Sequence, residues 1–279
     1  MVNSPETSAR CVDVCPGITA GADAKLLFIA GPCQIESRAH CVEMAARLKE
    51  ICSAYPVNLI FKSSFDKANR TGLNSTRGPG IVEGLKILQA VKKETGLPLI
   101  TDVHTTEQVT LAAQTVDILQ TPAFLCRQTD FLVAVGAAGK AVNIKKGQFL
   151  HPADMKHAAD KVSSAGGRNI LLCERGTCFG YRDLVVDMRS LIIMKEIGYP
   201  VIFDATHSVQ SMGGKGDASG GSREYVLPLA RAAVAIGVDG LFVECHDNPD
   251  KAPSDGPSML PLNEVQAVLD SVCKIREGL

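Results

Sequence analysis

The sequence predicts a single-domain α/β protein with the (β/α)8 barrel fold, on three observations. Eight short apolar or β-branched runs alternate with longer segments of helical period. The runs are apolar throughout, as expected of parallel strands that are covered on both faces. The alternation continues through the chain without a linker, and its 279 residues are close to the barrel length of about 250. A doubly wound open sheet is the alternative, and both folds place an active site at the carboxyl ends of the strands.

Each predicted strand opens one β-then-α unit. The strands are predicted at 26–31, 58–64, 98–104, 118–124, 141–146, 170–176, 201–207 and 240–246.

The helices are predicted from apolar stripes and end signals. Ile81, Leu85, Leu88 and Val91 share one helix face, and Gly96 with the following proline ends that helix. Pro152 is suited to the first position of the helix after the fifth strand. Further helical patterns cover 183–197, 224–236 and 262–276.

Residues 26–279 form the predicted catalytic barrel, and residues 1–25 a leader or a cap on it. A net charge of −1 gives no reason to expect nucleic acid or an anionic membrane as a partner. The apolar runs are shorter than the ~20 residues that span a bilayer. The N-terminal residues lack a secretory signal, and ten scattered cysteines without C-x-x-C indicate reduced thiols in the cytoplasm.

Cations gather at the tips of the second to sixth predicted strands. Clustered cations at a concave mouth imply an anionic ligand, and this number suggests two phosphate-like groups. Some are expected to be structural, with Lys62 or Lys146 paired to Glu174 in the barrel wall. The seven cations are Lys62, Lys67, Arg70, Arg127, Lys145, Lys146 and Arg175.

A lone cysteine, Cys33, lies at the end of the first predicted strand. It is a packing residue, a nucleophile or a metal ligand. In a closed barrel the eighth strand pairs with the first, so Cys33, His207 and Glu244 converge on one arc of the mouth. Asp255, in the loop after the last strand, can fold back to the same point. A thiolate, an imidazole and two carboxylates suit a divalent transition metal. A buried cysteine beside a hydrogen-bonded histidine is the plainer interpretation.

Two further features lie at the mouth. Asp102 and His104 are two residues apart and therefore expected on one side of the third strand. The Gly-rich stretch 212–224 lacks the order of a P-loop, and it is either a mobile loop over the mouth or an idle turn.

Long strings of residues give the chain a family resemblance. They include IAGPCQIES, FKSSFDKANR, PAFLCRQTD, VNIKKGQF, ERGTCFGY and DATHSVQ. From about Leu26 to Arg276 the chain resembles the 3-deoxy-D-manno-octulosonate 8-phosphate synthases, also called 2-dehydro-3-deoxyphosphooctonate aldolases. The resemblance implies a barrel, usually a homotetramer, that condenses phosphoenolpyruvate with D-arabinose 5-phosphate and releases phosphate. Its product feeds lipopolysaccharide sugar synthesis.

The resemblance also implies residue roles. Lys67, Lys145 and Arg175 match phosphoenolpyruvate ligands, supported by Lys62, Ser64 and Gln120. Asn69, Arg70, Thr71 and Asp102 match the arabinose phosphate site, with His104 close by and Gln148 among the substrate-binding candidates. Arg127 matches an arginine that reaches a neighbouring subunit's site. The candidate catalytic residues are Lys67, Asn69, Asp102, His104, Lys145 and His207.

Cys33, His207, Glu244 and Asp255 match the metal-dependent branch of the family, because the other branch has asparagine where this chain has Cys33. The implied cofactor is one divalent ion such as Fe²⁺, Zn²⁺ or Mn²⁺.

Three alternatives remain at this stage. A sister enzyme, 3-deoxy-D-arabino-heptulosonate 7-phosphate synthase, uses erythrose 4-phosphate, but its pattern Lys-Pro-Arg-Thr differs from 67–70 here. In this chain Thr71-Gly72 also replaces two serines that are common in the family. A Schiff-base aldolase would use Lys145 or Lys146 covalently, and a non-catalytic phosphosugar-binding barrel would show no turnover.

Overall fold

The computed structural model describes residues 10–21, 23–70, 72–180, 183–211 and 220–279. Within these ranges eight parallel strands pair in chain order, and the eighth pairs with both the seventh and the first, which closes the barrel. The predicted fold class is confirmed. The strands are β1 (Leu26–Gly31), β2 (Val57–Lys62), β3 (Leu99–Asp102), β4 (Ile118–Thr121), β5 (Ala141–Lys145), β6 (Ile170–Glu174), β7 (Val201–Asp204) and β8 (Gly240–His246).

Helices follow the strands in the described part of the chain and cover the outside of the barrel. Ser37 caps the first helix, where its side chain accepts a hydrogen bond from the His40 N–H at 3.2 Å. Gly96 ends the second helix with a φ of +70°, which glycine adopts without strain. The helices are α1 (Arg38–Cys52), α2 (Ile81–Thr95), α3 (Thr106–Ala112), α4 (Thr129–Ala137), α5 (Met155–Ser164), α6 (Arg189–Lys195), α7 (Val226–Ile236) and α8 (Val265–Glu277).

Two sequence predictions are wrong in detail. Several strands end earlier than predicted, so His104 lies in the loop after β3 and not on the strand beside Asp102. The helix predicted over 183–197 covers only its second half. Leu184–Val185 instead forms a short antiparallel pair with Thr177–Cys178, and this pairing keeps the chain extended before α6.

The inside of the barrel is layered. Ile60, Ile100, Ile118, Ile202 and Phe242 belong to one buried apolar cluster. Because side chains alternate along a strand, the residues two positions further share the same face. Those residues are polar: Lys62, Asp102, Gln120, Asp204 and Glu244. An apolar layer therefore gives way to a charged layer toward the carboxyl ends.

A short hairpin lies at the amino end of the barrel. Val12–Cys15 pairs antiparallel with Ile18–Ala20, and Val12, Val14 and Ala20 are buried in the same apolar cluster as the barrel's inner residues. The hairpin therefore packs on the side opposite the charged layer. The boundary between a leader at 1–25 and the barrel stays a prediction.

Among the described residues, no helix combines the length and apolar character that crossing a membrane requires.

Candidate active site

A cavity of about 1130 Å³ opens at the carboxyl ends of the strands. Its size suits two small phosphate-bearing molecules better than one. Most of the residues predicted from the sequence line it: Lys62, Lys67, Asn69, Arg70, Asp102, His104, Gln120, Lys145, Gln148, Arg175, His207 and Asp255.

The ring of Phe242, which belongs to the apolar layer, contacts two of the lysines that line the cavity. Lys145 Nζ lies 3.6 Å from the ring centroid, and Lys62 Nζ lies 5.3 Å from it. Both ammonium groups are within the range of cation–π attraction. The ring therefore helps to hold two cations that point away from the apolar plug.

Lys67 and Lys145 bring positive charge to the same part of the cavity. Lys67 Nζ donates to Ser64 Oγ at 3.1 Å and lies 3.8 Å from Glu244 Oε1, while Lys145 pairs with Asp204. Burial by itself would lower the pKa of Lys67, but the neighbouring carboxylates, Glu244 first among them, raise it well above its usual value. Lys67 therefore stays protonated, as a ligand for an anion must.

Arg175 is the cation whose hydrogen bonds are incomplete. Its Nη2 donates to Gln210 Oε1 at 2.9 Å, but its buried Nη1 has no hydrogen-bond partner in the described part of the chain. Burial lowers the pKa of this guanidinium, although it remains far too basic to lose its charge near neutrality. A buried unpaired cationic donor on a cavity wall points to a bound anion.

Lys62 lies between the proposed metal ligand Glu244 and the proposed substrate-binding residue Asp102. Its Nζ donates to Glu244 Oε1 at 2.5 Å and lies 3.6 Å from Asp102 Oδ2. Asp102 also accepts from Ser64 Oγ at 2.5 Å and from Gln120 Nε2 at 2.8 Å. Burial would raise the pKa of Asp102, but Lys62 and a second lysine hold it well below the usual range. Asp102 is therefore a fixed carboxylate with both oxygens occupied.

The loop after β2 carries the residues predicted for the arabinose phosphate. Asn69 is exposed at the cavity. Arg70 donates to Ser254 Oγ at 2.6 Å and to Gln34 Oε1 at 2.8 Å, so its side chain ties this loop to the one after β8. Thr71 lies outside the described residues.

His104 also lines the cavity, where its ring packs edge-on against Phe65 with centroids 5.9 Å apart. Its Nδ1 is 3.1 Å from Gln108 Oε1, which fixes the ring orientation.

The convergence predicted for Cys33 is present. One ligand atom from each of Cys33, Glu244 and Asp255 lies within 4.8 Å of the other two, and Cys33 Sγ donates to Asp255 Oδ2 at 3.1 Å. Burial, with a smaller effect of Glu244, raises the pKa of this thiol well above its ordinary value. A cation at this point would replace the thiol proton, so the donor set fits a transition metal.

His207 completes this arc through its two ring nitrogens. Nε2 lies 3.3 Å from Glu244 Oε2, and Nδ1 lies 2.7 Å from Asp204 Oδ2. Burial would lower the pKa of His207, but these two carboxylates raise it. A carboxylate behind one imidazole nitrogen is the usual orienting partner of a metal-binding histidine.

Two backbone features place Cys33 and Asp255. Gly31 has a φ of +155°, and a β-carbon there would lie 2.0 Å from the carbonyl oxygen of Lys62. Only glycine therefore lets the end of β1 pass this close to β2. Among the described residues, Asp255 is the one non-glycine residue with positive φ, at +53°, and such strain concentrates at functional sites.

Two of the seven predicted cations do not line the cavity. Lys146 is buried 3.5 Å from Glu174 Oε1, so it is the structural member of the pair that the sequence left open. Arg127 is exposed and away from this cavity. The first eight residues of the Gly-rich stretch, 212–219, lie outside the described residues. In the described remainder, Gly220–Gly221 pairs with Gln210–Ser211.

Sequence reasoning missed the supporting residues. Asp204 lies two positions after the inward-facing Ile202. This spacing predicts that Asp204 belongs to the charged layer, but it does not predict the contact of Asp204 with His207. Gln210 lies in a two-residue strand and Gln34 and Ser254 lie in loops, and no spacing in the sequence predicts their contacts with Arg175 and Arg70.

Comparison with known proteins identifies the family. The model of the DAHP synthetase I family matches residues 3–278. The chain belongs to the DAHP synthetase I family. Within this family it is similar to curated proteins named 2-dehydro-3-deoxyphosphooctonate aldolase, the second name of the family that the sequence resembles.

Three such relatives cover most of both chains. The protein of Bartonella henselae is 57% identical over 250 residues, which is 90% of each chain. That of Caulobacter vibrioides is 55% identical over 257 residues, 92% of this chain and 90% of the relative. That of a Cyanothece species is 52% identical over 268 residues, 96% of this chain and 98% of the relative.

Proposed function

We propose that the protein is a 3-deoxy-D-manno-octulosonate 8-phosphate synthase. It condenses phosphoenolpyruvate, D-arabinose 5-phosphate and water to the eight-carbon sugar acid phosphate and inorganic phosphate, a step of lipopolysaccharide synthesis. Its curated relatives carry the name of this enzyme. The observation that supports it most strongly is the buried Nη1 of Arg175, which has no hydrogen-bond partner among the described residues and lines the same cavity as Lys67 and Lys145. Three cations there match the phosphate and carboxylate of phosphoenolpyruvate.

The reaction joins C3 of phosphoenolpyruvate to the aldehyde carbon of the sugar, while water adds at C2 and phosphate leaves. Lys67, Lys145 and Arg175 would fix the enol phosphate and balance its charge. Holding the two reactants in register and stabilising charge together contribute several kcal/mol in enzymes of this kind. Asn69 and Arg70, which line the cavity, would hold the sugar phosphate, and the family resemblance adds Thr71 as a third candidate.

We assign the handling of the attacking water to His207, Asp102 and His104. His207 has a raised pKa and a fixed orientation, and Asp102 and His104 line the same cavity. We propose that these three groups orient the attacking water and that Asp102 or His104 moves its proton, because both ring nitrogens of His207 are engaged when a metal is bound.

Cys33, His207, Glu244 and Asp255 are the proposed metal ligands. A divalent ion bound there supplies Lewis acidity toward the aldehyde oxygen or a bound water. Fe²⁺, Zn²⁺ and Mn²⁺ all suit this mixed set of sulfur, nitrogen and oxygen donors.

We also propose that the protein is a cytoplasmic homotetramer and that residues 26–279 form its catalytic domain. Ten free cysteines suit a reducing compartment. Exposed Arg127, remote from its own cavity, suits a role in a neighbouring subunit's site.

A substrate comparison tests the proposal. Phosphate release from phosphoenolpyruvate is measured with arabinose 5-phosphate and with erythrose 4-phosphate, and turnover is expected with the five-carbon sugar. In Asn69→Ala, kcat/KM for arabinose 5-phosphate should fall far more than affinity for phosphoenolpyruvate.

Asn74→Ala is the matched control, because Asn74 is exposed in the same loop but does not line the cavity. Equal losses for both substrates in Asn69→Ala would refute its sugar-binding role. Turnover with erythrose 4-phosphate alone would assign the protein to the sister enzyme.

A further inference from the structure

A second group of metal-type donors lies at the rim of the barrel, where α1 begins beside the end of β8. β1 and β8 pair in parallel with Glu244 opposite Gly31, so the residues that follow the two strands emerge side by side. Glu36 follows β1, His40 lies in the first turn of α1, and His246 is the last residue of β8. None of the three is among the residues assigned to the reaction.

The donor atoms of this group face one another. His246 Nε2 lies 2.6 Å from Glu36 Oε1, and His40 Nδ1 lies 3.8 Å from the same oxygen. The two imidazole rings are 4.8 Å apart and tilted by 41°. One ligand atom from each of the three residues lies within 4.8 Å of the other two.

The hydrogen bonds of His40 leave one nitrogen available. Its Nε2 lies 3.0 Å from Asp247 Oδ1, which fixes the proton on that nitrogen. Its Nδ1 is buried and has no hydrogen-bond partner in the described part of the chain. Burying a polar atom without a partner costs free energy unless a ligand meets it. A Zn²⁺ ion with bonds of about 2.0–2.2 Å bridges donors as far apart as Nδ1 and Glu36 Oε1.

To become the second nitrogen ligand, His246 must change its tautomer and release its hydrogen bond from Asn248. Its Nδ1 now accepts from the Asn248 N–H at 2.8 Å, so its proton is on Nε2, facing Glu36. Moving that proton to Nδ1 frees Nε2 for a cation, and Asp247 Oδ1 lies 3.1 Å from Nδ1 as the new acceptor. Asn248 is exposed, so its N–H can then bond water.

We propose that Glu36, His40 and His246 form a second site, for a divalent transition metal such as Zn²⁺. Asp247 would accept from both imidazoles and orient them, as carboxylates do behind metal-binding histidines. The donors are two nitrogens and one oxygen without sulfur, which distinguishes this site chemically from that of Cys33. Glu36 and Asp247 are partly exposed, so an ion can enter from solvent. A bound ion would tie the start of α1 to the chain leaving β8.

Anaerobic titration of the metal-stripped full-length protein with Co²⁺ tests this proposal. We expect two equivalents bound per chain. One should give a thiolate-to-cobalt charge-transfer band from Cys33, and the other only ligand-field bands. His40→Ala should abolish binding at the second site, which gives only ligand-field bands, and keep the charge-transfer band. Cys33→Ala should abolish the charge-transfer band and keep binding at the second site. Asp247→Ala should weaken binding at the second site about 10–100-fold.

His157→Ala is the control, because His157 is exposed on α5 and its loss should leave both sites intact. Glu36→Gln, which keeps the size of the side chain, gives a second test if His40→Ala fails to fold. A single equivalent in the wild type that carries the charge-transfer band, or two equivalents in both His40→Ala and Glu36→Gln, would overturn the proposal. Ligand-field bands without the charge-transfer band would instead contradict the metal role of Cys33 and support the rim site.

Discussion

The two ends of the barrel are built from the same strands but differ in the polarity of their inward-facing side chains. At the amino end, Ile100, Ile202 and their counterparts pack with the N-terminal hairpin into a buried apolar cluster. Two residues further along the same strands, Asp102 and Asp204 belong to a buried network of carboxylates and cations. A displacement of about 7 Å along a strand thus separates apolar packing from charge.

The apolar layer therefore contributes mainly to stability, and the charged layer mainly to ligand binding and catalysis. The apolar layer gains from burial, whereas buried ion pairs repay little of their desolvation cost and are weak evidence for stability. The charged layer is therefore better explained by the ligands it binds. Changes at the two ends should accordingly have separable effects on activity and on unfolding.

The largest effect is expected from Arg175→Ala at the carboxyl end. Removing one preorganised donor to a reacting anion costs about 10²–10³ in rate in comparable sites, so kcat/KM for phosphoenolpyruvate should fall by at least that factor. Thermal stability should change little, because the guanidinium is buried at a cost and half-partnered. Steady-state kinetics and thermal unfolding measure the two quantities.

Arg168→Ala is the control for this change, because Arg168 is exposed and away from the cavity. Its kinetics should match those of the wild type. An Arg175→Ala protein that loses stability but keeps its kcat/KM would reverse the division between the layers.

The opposite pattern is expected of Ile100→Ala. Ile100 is fully buried in the apolar cluster, and truncating such a side chain costs about 2–5 kcal/mol of unfolding free energy. The kcat/KM of the folded protein should stay near the wild-type value. Urea unfolding measures the loss, with Ile192→Ala as the control because Ile192 is half exposed on α6. Loss of activity in the folded Ile100→Ala protein would show that the layers are coupled.

The smallest effect concerns acid stability. The pKa of Asp102 is held below its ordinary value in the folded protein, so between that value and about 3.9 the unfolded chain binds a proton that the folded protein does not. Its contribution is therefore present above about pH 4 and lost as the pH falls further. In metal-free protein, Asp102→Asn should reduce the slope of unfolding free energy against pH by up to about 1.4 kcal/mol per pH unit.

Ile100→Ala should shift this pH curve without changing its slope, because the side chain does not titrate. An Asp102→Asn curve parallel to the wild type would show that this carboxylate is not linked to folding.

The barrel itself follows from the sequence because strand and helix periods differ and both recur along the chain. Lys62, Asp102 and Glu244 are predictable as members of one layer because each stands two residues after a buried apolar position. The convergence of Cys33 with Glu244 also follows, since closure makes β8 the neighbour of β1.

Loop contacts do not follow from the sequence. The bonds of Arg70 to Gln34 and Ser254 depend on how three loops meet in space, and no periodicity describes a loop. The sequence predicts His104 on a strand because the strand-like run continues to Val103, whereas the β3 ladder ends at Asp102.

The most direct test of this account is phosphate release from phosphoenolpyruvate and arabinose 5-phosphate before and after exhaustive chelation, with metals then added back. We predict turnover that is lost on chelation and restored by a divalent transition ion, but not restored in Cys33→Ala. No phosphate release with arabinose 5-phosphate from the metal-loaded protein would contradict the proposed reaction. Release that is indifferent to chelation would keep the reaction and make Cys33 a packing residue.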